Sequence, residues 1–266
     1  MKIDFHVHSS FSGDCDSSPE TQVLAALEQN LDILCFTEHL DADYFCPDAN
    51  FILDTAPYLE AVASLREKYA DRIAIYTGVE LGLQPHLTDY YKDYAARYPF
   101  DFIIGSTHLV NGEDPYYPSF WEGKSPKACL DTYFETTLKN IQTHDCFDSY
   151  GHLDYMIRYI PKGSLTYSCF DYMDLIDECL RLLITRGQAL EVNTGGYKAG
   201  LPEPNPGMDI LKRYKELGGE LLTFGSDAHF PQYVGYEYEK ACALIKACGF
   251  RYLTVYKERK ATPFLI

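Results

Sequence analysis

The sequence predicts a parallel α/β barrel of seven βα units, and three observations carry that expectation. Short apolar runs alternate with longer segments whose apolar residues recur every three or four positions; the runs are apolar throughout rather than at every second residue; and no linker or low-complexity tract interrupts the seven repeats. Strand patterns alternating with helical ones imply a parallel sheet. Strands buried on both faces read as continuous apolar runs, and seven units favour closure into a barrel over an open sheet. A chain of 266 residues with 46% hydrophobic content is long enough to bury the core of one such domain, expected to span 1–266.

The strands are expected at Ile3–Val7, Ile33–Thr37, Ile73–Gly78, Phe102–Gly105, Ser149–Gly151, Ala189–Val192 and Leu221–Phe224. Helical spacing places helices at Pro19–Asn30, Tyr58–Tyr69, Lys127–Gln142, Tyr172–Arg186, Met208–Leu217 and Tyr236–Ala247. The longest irregular stretch, Val110–Pro126, is rich in Gly, Pro and Tyr, and a loop of that length in a compact domain is often functional.

A formal charge of −16 and a pI near 4.8 oppose a polyanion at long range, so nucleic acid is not an expected partner. An anionic substrate would need local positive charge, which bound metal ions supply without adding basic side chains. The nine cysteines are odd in number and include no C-x-x-C pair, which fits reduced thiols in a cytoplasmic protein. The opening Met1-Lys2-Ile3-Asp4-Phe5 is not a basic region ahead of a long apolar run, and no apolar stretch approaches membrane-spanning length. The 23 tyrosines read as partly exposed core, an apolar body with a polar tip.

The chemistry lies in where the histidines and acids fall. His6 and His8 end the first expected strand, His39 follows the second, Glu80 the third, His108 the fourth, His152 the fifth, and Asp227 with His229 the seventh. In a parallel barrel those ends converge on one face. The i, i+2 spacing of His6/His8 and of Asp227/His229 sends both side chains of each pair to the same side of an extended backbone. A single histidine is more often a hydrogen-bonded scaffold residue than a ligand; six of eight at strand ends reverse that weighting. His86 and His144 lie in or beside helical segments and are read as structural. Imidazole and carboxylate without cysteine suit zinc, iron or manganese, and this many ligands imply more than one ion. Two or three such ions can clamp a phosphoryl group and activate water.

The strings DFHVHSSFSGD, FTEH, GVE, GSTH, YGHLD and GSDAH, in that order across nearly the whole chain, resemble the successive motifs of the PHP superfamily, named for polymerase and histidinol phosphatase. Within it, GSTHLVNGEDPYYPSFWEG, TYFE, YGHLDYMIRY and EVNTGG are similar to the histidinol-phosphate phosphatase branch. The resemblance implies a distorted seven-stranded (βα)7 barrel of TIM-barrel type and hydrolysis of L-histidinol phosphate, a small phosphomonoester, in histidine biosynthesis. It implies three divalent ions: one on His6, His8, Glu80 and Asp227; one on Glu80, His108 and His152; one on His39, His229 and Asp14, with Asp16 as the near competitor. Asp227 or His229 would move a proton, and Arg158 would grip phosphate in the bidentate geometry of a guanidinium. Lys198 stands where the branch usually has arginine, so its charge is kept but its planar fork is not. The aromatic run Tyr116-Tyr117 to Phe120-Trp121 is expected either to cover the pocket or to pack on the barrel, and Cys15 to be inert. The alternatives are a phosphodiesterase or nuclease using the same ions, and a metal-binding module without catalysis.

Overall fold

A computed structural model describes residues 1–46 and 49–266. Its seven parallel strands are β1 (Ile3–Val7), β2 (Ile33–Leu40), β3 (Ala74–Gly82), β4 (Phe102–Ser106), β5 (Ser149–Tyr150), β6 (Ala189–Asn193) and β7 (Leu222–Gly225), adjacent in space in the order of the chain. The sheet curls back on itself: Val7 bridges Ala228, the Asp227 N–H donates to the His6 carbonyl (2.8 Å) and the His8 N–H to the Ala228 carbonyl (3.0 Å). The closing seam is therefore made by the residues that follow β7 and end β1. The fold is the TIM-like barrel that the apolar runs predict, with β1, β2, β4, β6 and β7 buried along their whole length.

The helices cover the outside: α1 (Pro19–Glu28), α2 (Thr55–Lys68), α3 (Thr88–Arg97), α4 (Pro118–Trp121), α5 (Pro126–Thr143), α6 (Met173–Arg186), α7 (Gly195–Lys198), α8 (Met208–Glu216) and α9 (Tyr238–Ala247). Their ends follow local chemistry. Ser18 caps α1 by accepting the Thr21 N–H at 3.2 Å, with Pro19 in the first turn. Gly187 ends α6 in the left-handed region, at φ 68°. Among the described residues no helix is long and apolar enough to cross a membrane.

The structure departs from the expected elements in three places. β2 and β3 run on to Leu40 and Gly82, so His39 and Glu80 lie inside their strands instead of just beyond them. The polar residues there are buried, and polarity alone does not end strands whose backbone ladder continues, as it does through His39–Glu80 and Leu40–Leu81. Three helices went unforeseen, α3, α4 and α7; α3 is rich in tyrosine and buries only Tyr91 and Tyr94, leaving a faint apolar stripe, and the other two are four residues long. The chain also adds an antiparallel hairpin, β8 (Tyr252–Lys257) with β9 (Lys260–Leu265).

That hairpin closes the barrel end remote from the strand C-termini. Its turn donates from the Arg259 N–H to the Asp101 carbonyl (2.9 Å) and from the Glu258 N–H to Asp101 Oδ1 (3.1 Å), just before β4. Arg259 Nε donates to Asp148 Oδ2 (2.5 Å) just before β5, and the Ile103 N–H donates to the same oxygen (2.8 Å). Replacing Arg259 with Ala leaves this largely buried carboxylate without its cation and is expected to cost about 1–3 kcal/mol. Denaturant midpoints measure it, with metal content unchanged because the pair lies at the opposite end of the barrel. An unaltered midpoint would remove the turn from any role in closing the base.

Candidate metal centre

Strand register assembles the centre. His39 of β2 and Glu80 of β3 are register partners, so their side chains leave neighbouring strands on the same side. Glu80 is completely buried. Its Oε1 accepts the Ser106 hydroxyl (2.7 Å) and lies 3.1 Å from His108 Nε2 and 3.0 Å from His152 Nε2. Its Oε2 faces His6 Nε2 (3.1 Å), His39 Nδ1 (3.2 Å) and His8 Nε2 (3.6 Å). Burial pushes the carboxyl pKa up, but His6, His108 and His39 outweigh it and hold Glu80 well below the usual carboxylate range.

Four of the imidazoles, His6, His8, His108 and His229, are aimed from behind. His6 Nδ1 sits 2.5 Å from Glu191 Oε1, which can only accept, so Nδ1 carries the proton and Nε2 offers its lone pair inward. Burial opposes charge on His6, yet Glu191 and Glu80 outweigh it and raise its pKa well above the ordinary value. His8 Nδ1 lies 3.1 Å from Ser12 Oγ, whose own proton goes to Glu38 Oε2 (2.5 Å), so His8 Nε2 also turns inward. Burial and the neighbouring His39, His229 and His6 keep His8 neutral, with its pKa well below normal. His108 Nδ1 meets Asp41 Oδ1 at 2.7 Å. His229 Nδ1 lies 3.1 Å from the Asp227 carbonyl, leaving Nε2 toward Asp14 Oδ2 at 3.1 Å.

Four side-chain atoms at this floor, His6 Nε2, His8 Nε2, His39 Nδ1 and Glu80 Oε2, are buried without a hydrogen-bond partner. Unpaired polar atoms of this kind are costly, and their convergence is what a cation relieves. Among the described residues four sets of ligand atoms each fall within 4.8 Å of one another: His6, His8 and Glu80; Glu80, His108 and His152; His8, His39 and His229; and His39, Asp41 and His108. The donor chemistry thus suits several divalent ions.

Asp227 stands at φ 57°, in the left-handed region, with Oδ1 3.6 Å from His8 Nε2 and 3.9 Å from His6 Nε2. Burial pushes its pKa up, and His6, Arg158 and Lys198 outweigh that and hold it well below the carboxylate range. Asp14 reaches the far side, with Oδ2 also 3.6 Å from His39 Nε2. Burial raises its pKa, but His39 and His229 outweigh it and lower it to about 2. Asp16 makes no ion pair among the described residues.

Arg158 is buried against the centre. Its Nη1 donates to Asp227 Oδ2 (2.9 Å), its Nη2 to Asn193 Oδ1 (2.7 Å) and its Nε to Asn205 Oδ1 (2.7 Å). Lys198 Nζ donates to the Asp227 carbonyl at 3.0 Å. Both line a cavity of about 570 Å³ above the cluster. The aromatic run divides: Tyr116 and Tyr117 line that cavity, whereas Phe120 and Trp121 are core. Cys15 donates to the His229 carbonyl at 2.9 Å, and burial pushes its thiol up to about 11, as inertness requires. His86 pairs with Asp43 at the surface and His144 meets the Gln84 carbonyl, both away from the centre.

The sequence reading missed Asp41, Glu191 and Glu38, which hold the imidazoles. The i, i+2 spacing applied to His6/His8 also connects His39/Asp41 and Glu191/Asn193, so the signal was present for two of them. Glycines make room: a Cβ on Gly82 would lie 1.8 Å from Asp41 Oδ1, and one on Gly225 would lie 2.3 Å from Glu191 Oε1.

The PHP domain family matches residues 4–195. The chain is 31% identical over 260 residues to a histidinol-phosphatase of Lactococcus lactis subsp. lactis, covering 97% of this chain and 96% of that protein. It is 32% identical over 253 residues to a probable histidinol-phosphatase of Clostridium acetobutylicum, covering 94% and 95%. It matches, with TM-score 0.88 and 30% identity over 98% of each chain, the crystal structure of histidinol phosphate phosphatase from Lactococcus lactis subsp. lactis complexed with zinc, L-histidinol and phosphate.

Glu80→Gln is expected to release metal and abolish most activity, because an amide cannot serve two cations as a carboxylate does. Glu191→Gln keeps the shape behind His6 but removes the charge, and should weaken metal binding about 10- to 100-fold with the fold intact. Chelator competition on the purified variants measures both; wild-type affinity in Glu191→Gln would leave Glu191 a packing residue only.

Proposed function

The chain belongs to the PHP domain family, and from that premise we propose that it is a metal-dependent phosphomonoesterase whose substrate is L-histidinol phosphate. The observation that carries the reading is the convergence of four unpartnered buried donor atoms beneath a cavity that also presents Arg158 and Lys198. Its nearly full-length likeness to histidinol-phosphatases supports the choice of ester.

His6, His8, Glu80 and Asp227 would hold one divalent ion, Glu80, His108 and His152 a second, and His39, His229 and Asp14 a third. When bound, zinc, iron or manganese supplies positive charge toward the phosphoryl oxygens and a Lewis acid that lowers the pKa of water. The chain's own groups do the rest. Arg158 spends three of its five N–H donors on Asn205, Asp227 and Asn193, so one hydrogen on each Nη remains for phosphate. Lys198 adds a second positive charge from the end of α7. Asp227 Oδ1 takes the proton of the attacking water and passes it on to the departing alkoxide oxygen, with His229 Nδ1 beside it at 3.7 Å. The products are L-histidinol and inorganic phosphate.

The setting proposed is the cytoplasm, supported by Cys15, Cys35, Cys129, Cys146, Cys169, Cys179, Cys242 and Cys248 standing outside any disulfide. The partner proposed is a small phosphate ester; a formal charge of −16 argues against a nucleic acid, and with it against a nuclease.

Phosphate release from a panel of esters including histidinol phosphate, with metal content determined on the same preparation, tests the proposal. Preference for histidinol phosphate is expected, and turnover confined to phosphodiesters would overturn it. Lys198→Arg separates the two basic groups: if the position grips phosphate, the guanidinium keeps or improves kcat/KM. Arg158→Ala should lower kcat/KM about ten- to hundredfold, and because Arg158 also holds Asp227 it should weaken the ion on that carboxylate.

A further inference from the structure

Arg158 is held by a frame that runs back to two buried carboxylates. Asn193 and Asn205 lie side by side: the Asn193 N–H donates to the Asn205 carbonyl at 2.8 Å, and the Asn205 N–H to the Asn193 carbonyl at 2.9 Å. Their amide oxygens face the guanidinium, Asn205 Oδ1 accepting from Nε and Asn193 Oδ1 from Nη2, both at 2.7 Å. Their amide nitrogens face carboxylates. Asn205 Nδ2 donates to Asp154 Oδ1 at 2.7 Å, and Asn193 Nδ2 to Glu191 Oε2 at 3.0 Å.

The two glycines of the EVNTGG string belong to the same frame. A Cβ on Gly195 would lie 2.8 Å from Asn193 Oδ1 and 3.0 Å from Arg158 Nη2, and one on Gly196 would lie 2.8 Å from Asn205 Oδ1. One face of the guanidinium plane is covered by the Tyr155 ring, 5.2 Å from Cζ.

A side-chain amide can present either end to a neighbour. Turned over, Asn205 would set its NH2 group against Arg158 Nε, donor against donor. A carboxylate only accepts, so it captures the NH2 group and leaves the oxygen for the guanidinium. Glu191 does this for Asn193 but also serves His6 and the His152 N–H. Asp154 is buried and among the described residues pairs with no histidine, so its effect on Arg158 can be separated from any on the ligands.

We propose that Asp154 is a positioning residue for phosphate recognition: by fixing the Asn205 amide it holds the guanidinium of Arg158 with its unused Nη hydrogens toward the cavity. Asp154 acts through Arg158 and touches no substrate. This rests on the phosphate role given to Arg158 above and extends it to what aims that side chain. The competing role is core filling, in which loss of Asp154 weakens the fold and every activity with it. Asp154 also borders a largely apolar hollow with Ile157, Ile160, Leu165 and Ile210, so leucine can be housed in its place.

The test uses metal-loaded protein, p-nitrophenyl phosphate as substrate and inorganic phosphate as competing ligand. In Asp154→Leu, KM and the inhibition constant of phosphate should each rise about tenfold, with kcat changed less than about threefold. In an Arg158→Ala background the same substitution should add less than about twofold, because groups that act as one unit are not additive. Exchanging the pair, Asp154→Asn with Asn205→Asp, sets the acceptor-only group against Arg158 itself and should keep phosphate affinity within about threefold of wild type. Unchanged phosphate affinity in Asp154→Leu, a further tenfold loss on top of Arg158→Ala, or a tenfold loss in the exchanged pair would each return Asp154 to core filling. Wild-type phosphate affinity in Arg158→Ala would overturn the phosphate role of Arg158 and this inference with it. If wild type turns over no ester, calorimetry with inorganic phosphate reads the same affinities, so the phosphatase reading can fail while this inference stands.

Discussion

One buried carboxylate organises the catalytic end of this barrel. Glu80 sits without solvent among six imidazole-bearing or hydroxyl-bearing side chains from β1, β2, β4 and the segments after β1, β4 and β5. Removing a charge of that size from water costs several kcal/mol even after relaxation, and only close opposite charge and hydrogen bonds offset it. Those come from residues dispersed between His6 and His152, which meet only once the sheet has curled. Barrel closure and charge compensation of Glu80 are thus one event: an open sheet would strand the carboxylate, and a barrel without it would face imidazoles with nothing between them.

Behind that centre lies a second layer that replaces the apolar filling usual in a barrel interior. Glu191 serves His6 and also accepts the His152 N–H at 2.8 Å; Asp41 serves His108; Glu38 takes the hydroxyls of Ser9 and Ser12 and through Ser12 serves His8. The layer fixes which ring nitrogen of His6, His8 and His108 carries the proton, and so which one faces a cation. It fits because glycine stands at Gly82 and Gly225, where any β-carbon would collide with Asp41 or Glu191. Those glycines are required by close approach, which explains their place in the motif strings better than any turn does.

The sequence made most of this legible, but unevenly. Apolar runs located all seven strands, because fully buried strands leave a signal that depends on composition alone. They misjudged where β2 and β3 end, because His39 and Glu80 are polar residues with a buried address, and a pattern of polarity cannot see partners. The ligand positions could be read from spacing within a strand. Arg158 could not: its burial and its tie to Asp227 depend on Asn193 and Asn205, contributed by β6 and the loop after α7. The hairpin β8–β9 was missed for another reason. Its outer strand is largely exposed, so it lacks the continuous apolar run that betrayed the others.

An acidic chain that handles an anion has to separate its charges, and the cavity does so over its own width. On the floor Arg158 and Lys198 both lean on Asp227, beside the cluster that would hold divalent charge. On the opposite wall Asp114 stands with neutral donors and aromatic faces. On the reading proposed here, phosphate is drawn to the floor and turned from that wall, since juxtaposing like charges opposes binding as firmly as the right contacts favour it. The cations of the floor need aim as well as charge. Arg158 takes its orientation from Asn193 and Asn205, and those amides take theirs from Glu191 and Asp154. Glu191 also holds His6, so one carboxylate sets a metal ligand and the guanidinium frame in register. Acids buried behind donors thereby serve an anion site, and a net charge spread over the surface does not alter what they fix.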